Sequence, residues 1–159
     1  MKKILSIILI FLLLNAQCEE IVSEALLHLD KPYVYATEGL NTFDCSGFVL
    51  YCYQKVENIK LKRSAKDQGY DERFQKIENI EELLSGDCVY FNTNSRDSDL
   101  SDHVGIYIGN GHFVHCSSGK GKVIISSLLE GYYNKCFSWG RRIRRNKHGK
   151  CYDKTRLTR

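Results

Sequence analysis

Cys45 stands in the string Phe43-Asp44-Cys45-Ser46-Gly47-Phe48-Val49; His103 follows 58 residues later in His103-Val104-Gly105-Ile106-Tyr107, and His115 comes 12 residues after that. One cysteine and two histidines are the parts of a cysteine hydrolase: a sulfur nucleophile, a base to take its proton and a third group to orient the base. A thiol is a useful nucleophile at neutral pH when something stabilises its thiolate, and a helix N-terminus or an imidazolium does so. Cys45 in the first turn of a helix would lie near unpaired backbone N–H groups and the positive end of the macrodipole, so a lowered pKa and a thiolate are expected. His103 would accept the thiol proton and return it to the leaving amine. His115 would touch the far nitrogen of His103 and set its tautomer. This chemistry needs no cofactor, and with no Cys-x-x-Cys pair in the chain a metal site has little support.

The elements that must position these groups are legible as changes of period. Ile21, Val22, Ala25, Leu26 and Leu29 recur at helical spacing, so a helix is expected from Glu20 to about Asp30, stopping near Pro32. Tyr33 to Thr42 reads as a loop. Thr42 or Asp44 can cap the next helix, whose apolar residues Phe48, Val49 and Cys52 mark a buried face running to about Lys55. Ser64 can cap a short helix from Ala65 to Tyr70, and Ile80 to Leu84 forms a further short turn. Short β-rich runs follow at Cys88–Phe91, Val104–Ile108, His112–His115, Val123–Ser126 and Phe137–Arg144. Helices first and strands afterwards make an α+β domain with helices packed on a central antiparallel sheet of about five strands.

Parity then constrains the hairpin that carries both histidines. A two-residue turn at Asn110-Gly111 with regular pairing would put His103 opposite Ser118 and leave His115 on the other face. A three-residue loop Gly109-Asn110-Gly111, or an equivalent bulge, puts His103 opposite Ser117 and returns His115 to its side. The second arrangement is expected.

Length and composition bound the rest. At 159 residues, 43% hydrophobic and 26% charged, the chain is sized for one globular domain. Lys2 and Lys3 followed by the apolar stretch Ile4–Leu14 are expected to be an export signal covering 1–18, since a membrane span needs about twenty apolar residues. Cleavage near Ala16 or Cys18 and acylation of Cys18 are both open. The domain is expected over 19–144 and a basic tail over 145–159. The net charge of +4 falls to +2 without Lys2 and Lys3, and Arg141–Arg159 holds nine basic residues against Asp153, so Glu19–Gly140 carries −6. A basic segment on an acidic body is either a solvated tail or a contact for an anionic wall or membrane surface. Of seven cysteines, Cys45 and Cys52 on one helix stand roughly 10 Å apart, beyond disulfide reach. Cys52, Cys88 and Cys116 fit as small apolar groups, and Cys136 with Cys151 is the pair a disulfide would join.

Asp-Cys-Ser-Gly-Phe at a helix start, His-Val-Gly-Ile-Tyr-Ile-Gly on a strand and Phe-Val-His on the next resemble the NlpC-type family of bacterial cell-wall cysteine peptidases, over roughly Glu20 to Ile143. The resemblance implies a papain-like fold and cleavage of peptide bonds in peptidoglycan stem or crosslink peptides, often next to γ-D-glutamate. It implies Cys45 as nucleophile, His103 as base and His115 as orienting residue. Pro32-Tyr33-Val34-Tyr35 resembles the family's Pro-Tyr-x-Tyr segment, which would make the Tyr33 hydroxyl a partner of the oxyanion beside the Cys45 N–H. Asp44 and Ser46, with Arg63-Ser64 matching an Arg-Ser/Thr pair, would meet the stem peptide. Each has a plain alternative: Tyr33 as core aromatic, Asp44 and Ser64 as helix caps, Ser46 as a helix-start residue and Arg63 as a surface charge. The chain departs from the pattern at Ala36-Thr37, where paired glycines are usual, and at Lys62, where proline is common. The protein implied is an exported monomer that binds no nucleic acid. Its rivals are an amidase or acyltransferase on the same scaffold and a catalytically silent wall-binding protein.

Overall fold

The computed structural model describes residues 19–94 and 101–143. The expected signal at 1–18 and the tail from 144 onward, with Cys18 and Cys151, lie outside the described residues. Helix α1 covers 19–26, and the chain then leaves the helical path through tight i−3 bonds from His28 to Ala25 and from Leu29 to Leu26. Asp30 has φ 66°, a left-handed residue that ends any continuation, so the helix is shorter than its apolar period suggests.

Helix α2, Cys45–Glu57, is capped by Asp44 and ends at left-handed Asn58. Its Phe48, Val49 and Cys52 are fully buried, as their spacing predicts, and each of the larger two contributes about 2 kcal/mol on leaving water. Helix α3, Ala65–Gly69, is capped by Ser64, and a 3-10 turn forms at Ile80–Glu82. Strands β1 (Gln75–Ile77), β2 (Cys88–Phe91), β3 (His103–Gly109), β4 (His112–Ser117), β5 (Lys122–Ser127) and β6 (Phe137–Arg142) form one sheet in the order β1-β6-β2-β3-β4-β5. Every neighbouring pair is antiparallel. The sheet has six strands, not about five, because the three residues of β1 form a short edge on β6 that carries no alternation long enough to read. A short helix α4, Gly131–Cys136, was also not expected.

Strand alternation gives the sheet two apolar faces. Val104, Ile106, Val114, Cys116 and Val123 pack with α2, whereas Val89, Phe91, Tyr107, Phe113 and Leu128 form a second cluster joined by Tyr133 of α4. Cys45, Cys52, Cys88, Cys116 and Cys136 are all free thiols. Arg141 and Arg142 belong to β6 rather than to a tail. Arg141 donates to the carbonyls of Gly69 and Phe74 at 2.7 and 3.0 Å, and Arg142 grips Asp87 at 2.7 Å. Both guanidiniums are occupied by the fold, so any anionic surface would have to be met by the basic residues beyond them.

Candidate active site

The cysteine is placed by its own local sequence. The Asp44 carboxylate accepts from the Gly47 N–H at 2.7 Å, which starts α2 and leaves Cys45 at its first position, half-buried. The loop before it is laid directly on this turn: Asp44 donates its N–H to Thr37 O at 2.9 Å. A Cβ on Gly47 would stand 2.1 Å from Thr37 O, so glycine is what permits the approach.

Backbone N–H groups of Ser46 and Val104 act on the sulfur, as expected for a helix start set against β3 at the residue after His103. Burial acts against them more strongly, with the Asp44 carboxylate adding to it, and the thiol is pushed up to about 11. Burial thus acts against the expected resting thiolate. With the thiol at about 11 the sulfur carries its proton at neutral pH, so its activation calls for a proton transfer.

The two histidines meet through a bulge. Asn110 and Gly111 both have positive φ, 51° and 72°, and form a two-residue turn that pairs Gly109 with His112. The pairing then shifts, so that Tyr107 opposes Phe113 and Ile106 opposes Val114. Ile108 is the extra residue. The loop is therefore two residues, not three, while the bulge supplies the same parity, and the Ile106–Val114 register continued along the strands sets His103 opposite Ser117 and Gly105 opposite His115. A Cβ on Gly105 would come within 2.6 Å of the Phe113 ring and 3.0 Å of His115 Cβ, so its absence makes room for the second imidazole.

His103 Nε2 lies 2.7 Å from His115 Nδ1, with the rings 4.9 Å apart and nearly perpendicular. Both rings are buried, which lowers His103 to about 4 despite the Asp102 charge. His115 is lowered further, by burial first and by His103 second. Two neutral imidazoles can share that contact only if one donates and the other accepts. With Nε2 of His103 turned to His115, Nδ1 is the ring nitrogen left for other chemistry.

The other expected residues fall in two groups. Arg63 Nη1 donates to Asp44 at 3.1 Å and to Ser46 Oγ at 3.0 Å, its Nη2 donates to the other Asp44 oxygen at 2.5 Å, and Nε reaches Glu38 at 3.3 Å. Asp44, Ser46 and Arg63 thus form one polar cluster at the cysteine. Ser64 stands apart: its hydroxyl caps α3 by accepting from Asp67 N at 3.1 Å. Tyr33 is half-buried, held by its N–H to Gly121 O at 2.8 Å. Its phenol is raised by burial and then by Cys45 and Asp44, so it remains a donor at neutral pH. Ala36 has φ 61°, so the left-handed conformation that glycine usually supplies is kept by an alanine.

Three further residues support the site without a signal in the sequence. Tyr133 of α4 stacks on His103 at 5.9 Å and meets His115 edge-on at 4.9 Å. Ser126 of β5 bonds His115 Nε2 at 2.9 Å. Buried Gln68 donates to Ser46 O at 3.1 Å and Lys62 O at 2.8 Å, tying the Arg63 segment to the cysteine helix. Ser126 lies on the same strand face as Ile124, opposite His115, which strand alternation could have indicated once the pairing was known. Tyr133 and Gln68 depend on contacts far along the chain.

Comparison with known proteins identifies the family and the fold. The NlpC/P60 family profile matches residues 30–142. The chain is 40% identical over 113 residues to the probable endopeptidase NlpC of Escherichia coli, covering 70% of this chain and 69% of that protein. It is 33% identical over 123 residues to the murein DD-endopeptidase MepH of Escherichia coli, covering 77% of this chain and 44% of MepH. The solved structure of NlpC1 from Trichomonas vaginalis superposes with a TM-score of 0.72 at 31% identity, covering 79% of this chain and 43% of that one. The chain spans about half the length of most of the curated relatives it resembles, MepH among them.

Proposed function

The chain belongs to the NlpC/P60 family, and from that membership and the geometry around Cys45 we propose that it is a cysteine endopeptidase of peptidoglycan. The observation that carries this reading is the 2.7 Å contact between His103 and His115, with the N–H of Val104, the residue after His103, acting on a free, half-buried thiol at a helix start. In the proposed reaction His103 Nδ1 takes the proton from Cys45 Sγ as the sulfur attacks the peptide carbonyl. The Cys45 N–H and the Tyr33 hydroxyl hold the oxyanion, and the new imidazolium protonates the leaving amine. Water, activated by His103, then hydrolyses the thioester. His115 accepts from His103 Nε2–H throughout and orients it.

The Asp44–Ser46–Arg63 cluster supports recognition of a short charged peptide end next to the scissile bond. Arg63 supplies a positive charge for a carboxylate and Asp44 a negative one for an ammonium. A stem-peptide bond beside γ-D-glutamate fits that pair. Export through 1–18 and a place in the cell envelope follow from this substrate, and no cofactor enters the reaction.

Digestion of purified sacculi by wild type and Cys45→Ala, with mass spectrometry of the released fragments, tests the proposal. New peptide ends made by wild type alone are expected, and they identify the bond. Modified amines or glycan ends without peptide cleavage would favour an amidase or acyltransferase. Binding to sacculi with no turnover by wild type would make the protein a silent wall binder.

A further inference from the structure

We infer that Ser126 is a positioning residue of this site, a fourth member that accepts the Nε2–H of His115, fixes its ring and through it orients His103. The inference rests on the proposed peptidase reading. For His103 Nδ1 to accept a thiol proton, His103 must carry its own proton on Nε2, and that proton must point at His115 Nδ1, 2.7 Å away. His115 must then be an acceptor at Nδ1, which as a neutral ring requires its proton on Nε2. That proton has an acceptor in place: Ser126 Oγ lies 2.9 Å from His115 Nε2. The opposite tautomer would aim His115 Nδ1–H at His103 Nε2, put the His103 proton on Nδ1 and leave no base facing the sulfur.

His115 is wholly buried, so water does not compete freely at its Nε2, and the Ser126 hydroxyl, able to accept from Nε2–H or donate to a bare Nε2, is the group that fixes this end of the ring. The serine is also held rigidly. It faces Phe113 in the β4–β5 pairing while Ile124 faces His115, so the hydroxyl comes from the strand next to the histidine's own and on the same side. In the reaction only one proton moves at this end: the Sγ–H bond of Cys45 breaks, an N–H bond forms at His103 Nδ1, and the resulting positive charge is shared through the His103–His115 contact without transfer to His115 or Ser126.

The tautomer can be read without any substrate, so this inference and the peptidase reading fail separately. In ¹⁵N-histidine NMR spectra of the full chain at pH 7, assigned with single histidine substitutions, His115 is expected as the Nε2–H form and His103 likewise. His115 protonated on Nδ1 in the wild type would overturn the inference, whatever the protein hydrolyses. In Ser126→Ala the His115 signals should shift toward a mixture of tautomers. Alkylation of Cys45 at pH 7, mapped by mass spectrometry, and kcat should fall about fivefold to tenfold with KM unchanged, the cost of one neutral hydrogen bond. Ser126→Thr, which keeps the hydroxyl, should restore both. Unchanged tautomers and rates in Ser126→Ala, or a loss that Ser126→Thr does not recover in a folded protein, would also overturn it.

Discussion

His103 Nε2 and His115 Nδ1 stand 2.7 Å apart because one residue of β3, Ile108, is bulged out of the ladder between Tyr107 and Gly109. A strand places successive side chains on opposite faces, so this single extra residue decides whether two imidazoles on adjacent strands meet or lie back to back. Deleting Ile108 should flip the register of the first half of β3. The His103 contact should vanish and with it turnover, while the far-ultraviolet spectrum of the sheet is retained.

The protonation state of the sulfur gives a spectroscopic test. With burial holding the Cys45 thiol at about 11, the thiolate absorbance near 240 nm, read as wild type minus Cys45→Ala, should stay flat from pH 5 to 8 and rise only at more alkaline pH. A step near or below pH 7 would mean that a resting thiolate–imidazolium pair exists after all.

Acid should unfold the protein by way of its histidines. Burial keeps His103 at about 4 in the folded chain, against about 6.5 in an unfolded one, so the unfolded state binds the proton first as pH falls. Stability is therefore full above about pH 6.5 and is lost on acidification toward 4, with His103 alone costing about 3 kcal/mol by pH 4. Denaturant midpoints at pH 7, 5.5 and 4.5 should fall in that order. His103→Gln should flatten the slope.

Gly47→Ala should be among the more damaging small substitutions. Its Cβ would sit 2.1 Å from Thr37 O, a backbone atom that cannot swing aside, so the 32–42 loop must lift off the start of α2. A loss of roughly 2–3 kcal/mol is expected, together with loss of activity as Tyr33 moves from the sulfur. Chemical denaturation and peptide turnover measured on the same preparation check both.

Ala36→Gly should act in the other direction. An alanine at φ 61° carries a left-handed backbone cost that glycine lacks, partly offset by the freer unfolded chain. A gain of about 0.5 kcal/mol with unchanged kcat is expected from thermal and denaturant unfolding.

Arg63→Lys tests recognition apart from chemistry. Lysine keeps the charge but cannot span both Asp44 oxygens and Ser46 Oγ as the guanidinium does, at 2.5 to 3.1 Å. KM for a stem peptide should rise about tenfold while kcat stays within about twofold, and alkylation of Cys45 should be unaffected. A fall in kcat alone would mean that Arg63 serves the nucleophile and not the substrate.

Much of the candidate site was legible in the sequence because its determinants are local. Asp44 caps the helix that begins at Cys45, Ser64 caps the next, and both are residue types whose short side chains reach a backbone N–H two or three positions on. Asn110-Gly111 announces a hairpin, and the alternation of β3 and β4 turns the demand that two histidines meet into a demand for an odd residue somewhere in the pairing. The position of that residue was not readable, since a three-residue loop and a bulge at Ile108 satisfy the same parity.

What the tertiary structure decided depends on groups distant in the chain. Ser126, Tyr133 and Gln68 reach the site from β5, α4 and α3, and no spacing in the sequence ties them to His115, His103 or Ser46. Three-residue β1 exists only because β6 offers it an edge. The charge state of the sulfur belongs here too. A helix start favours the thiolate wherever it is drawn on a sequence, but the opposing cost of burial is set by how the rest of the fold packs around Cys45, and here burial raises the thiol more than the backbone N–H groups lower it.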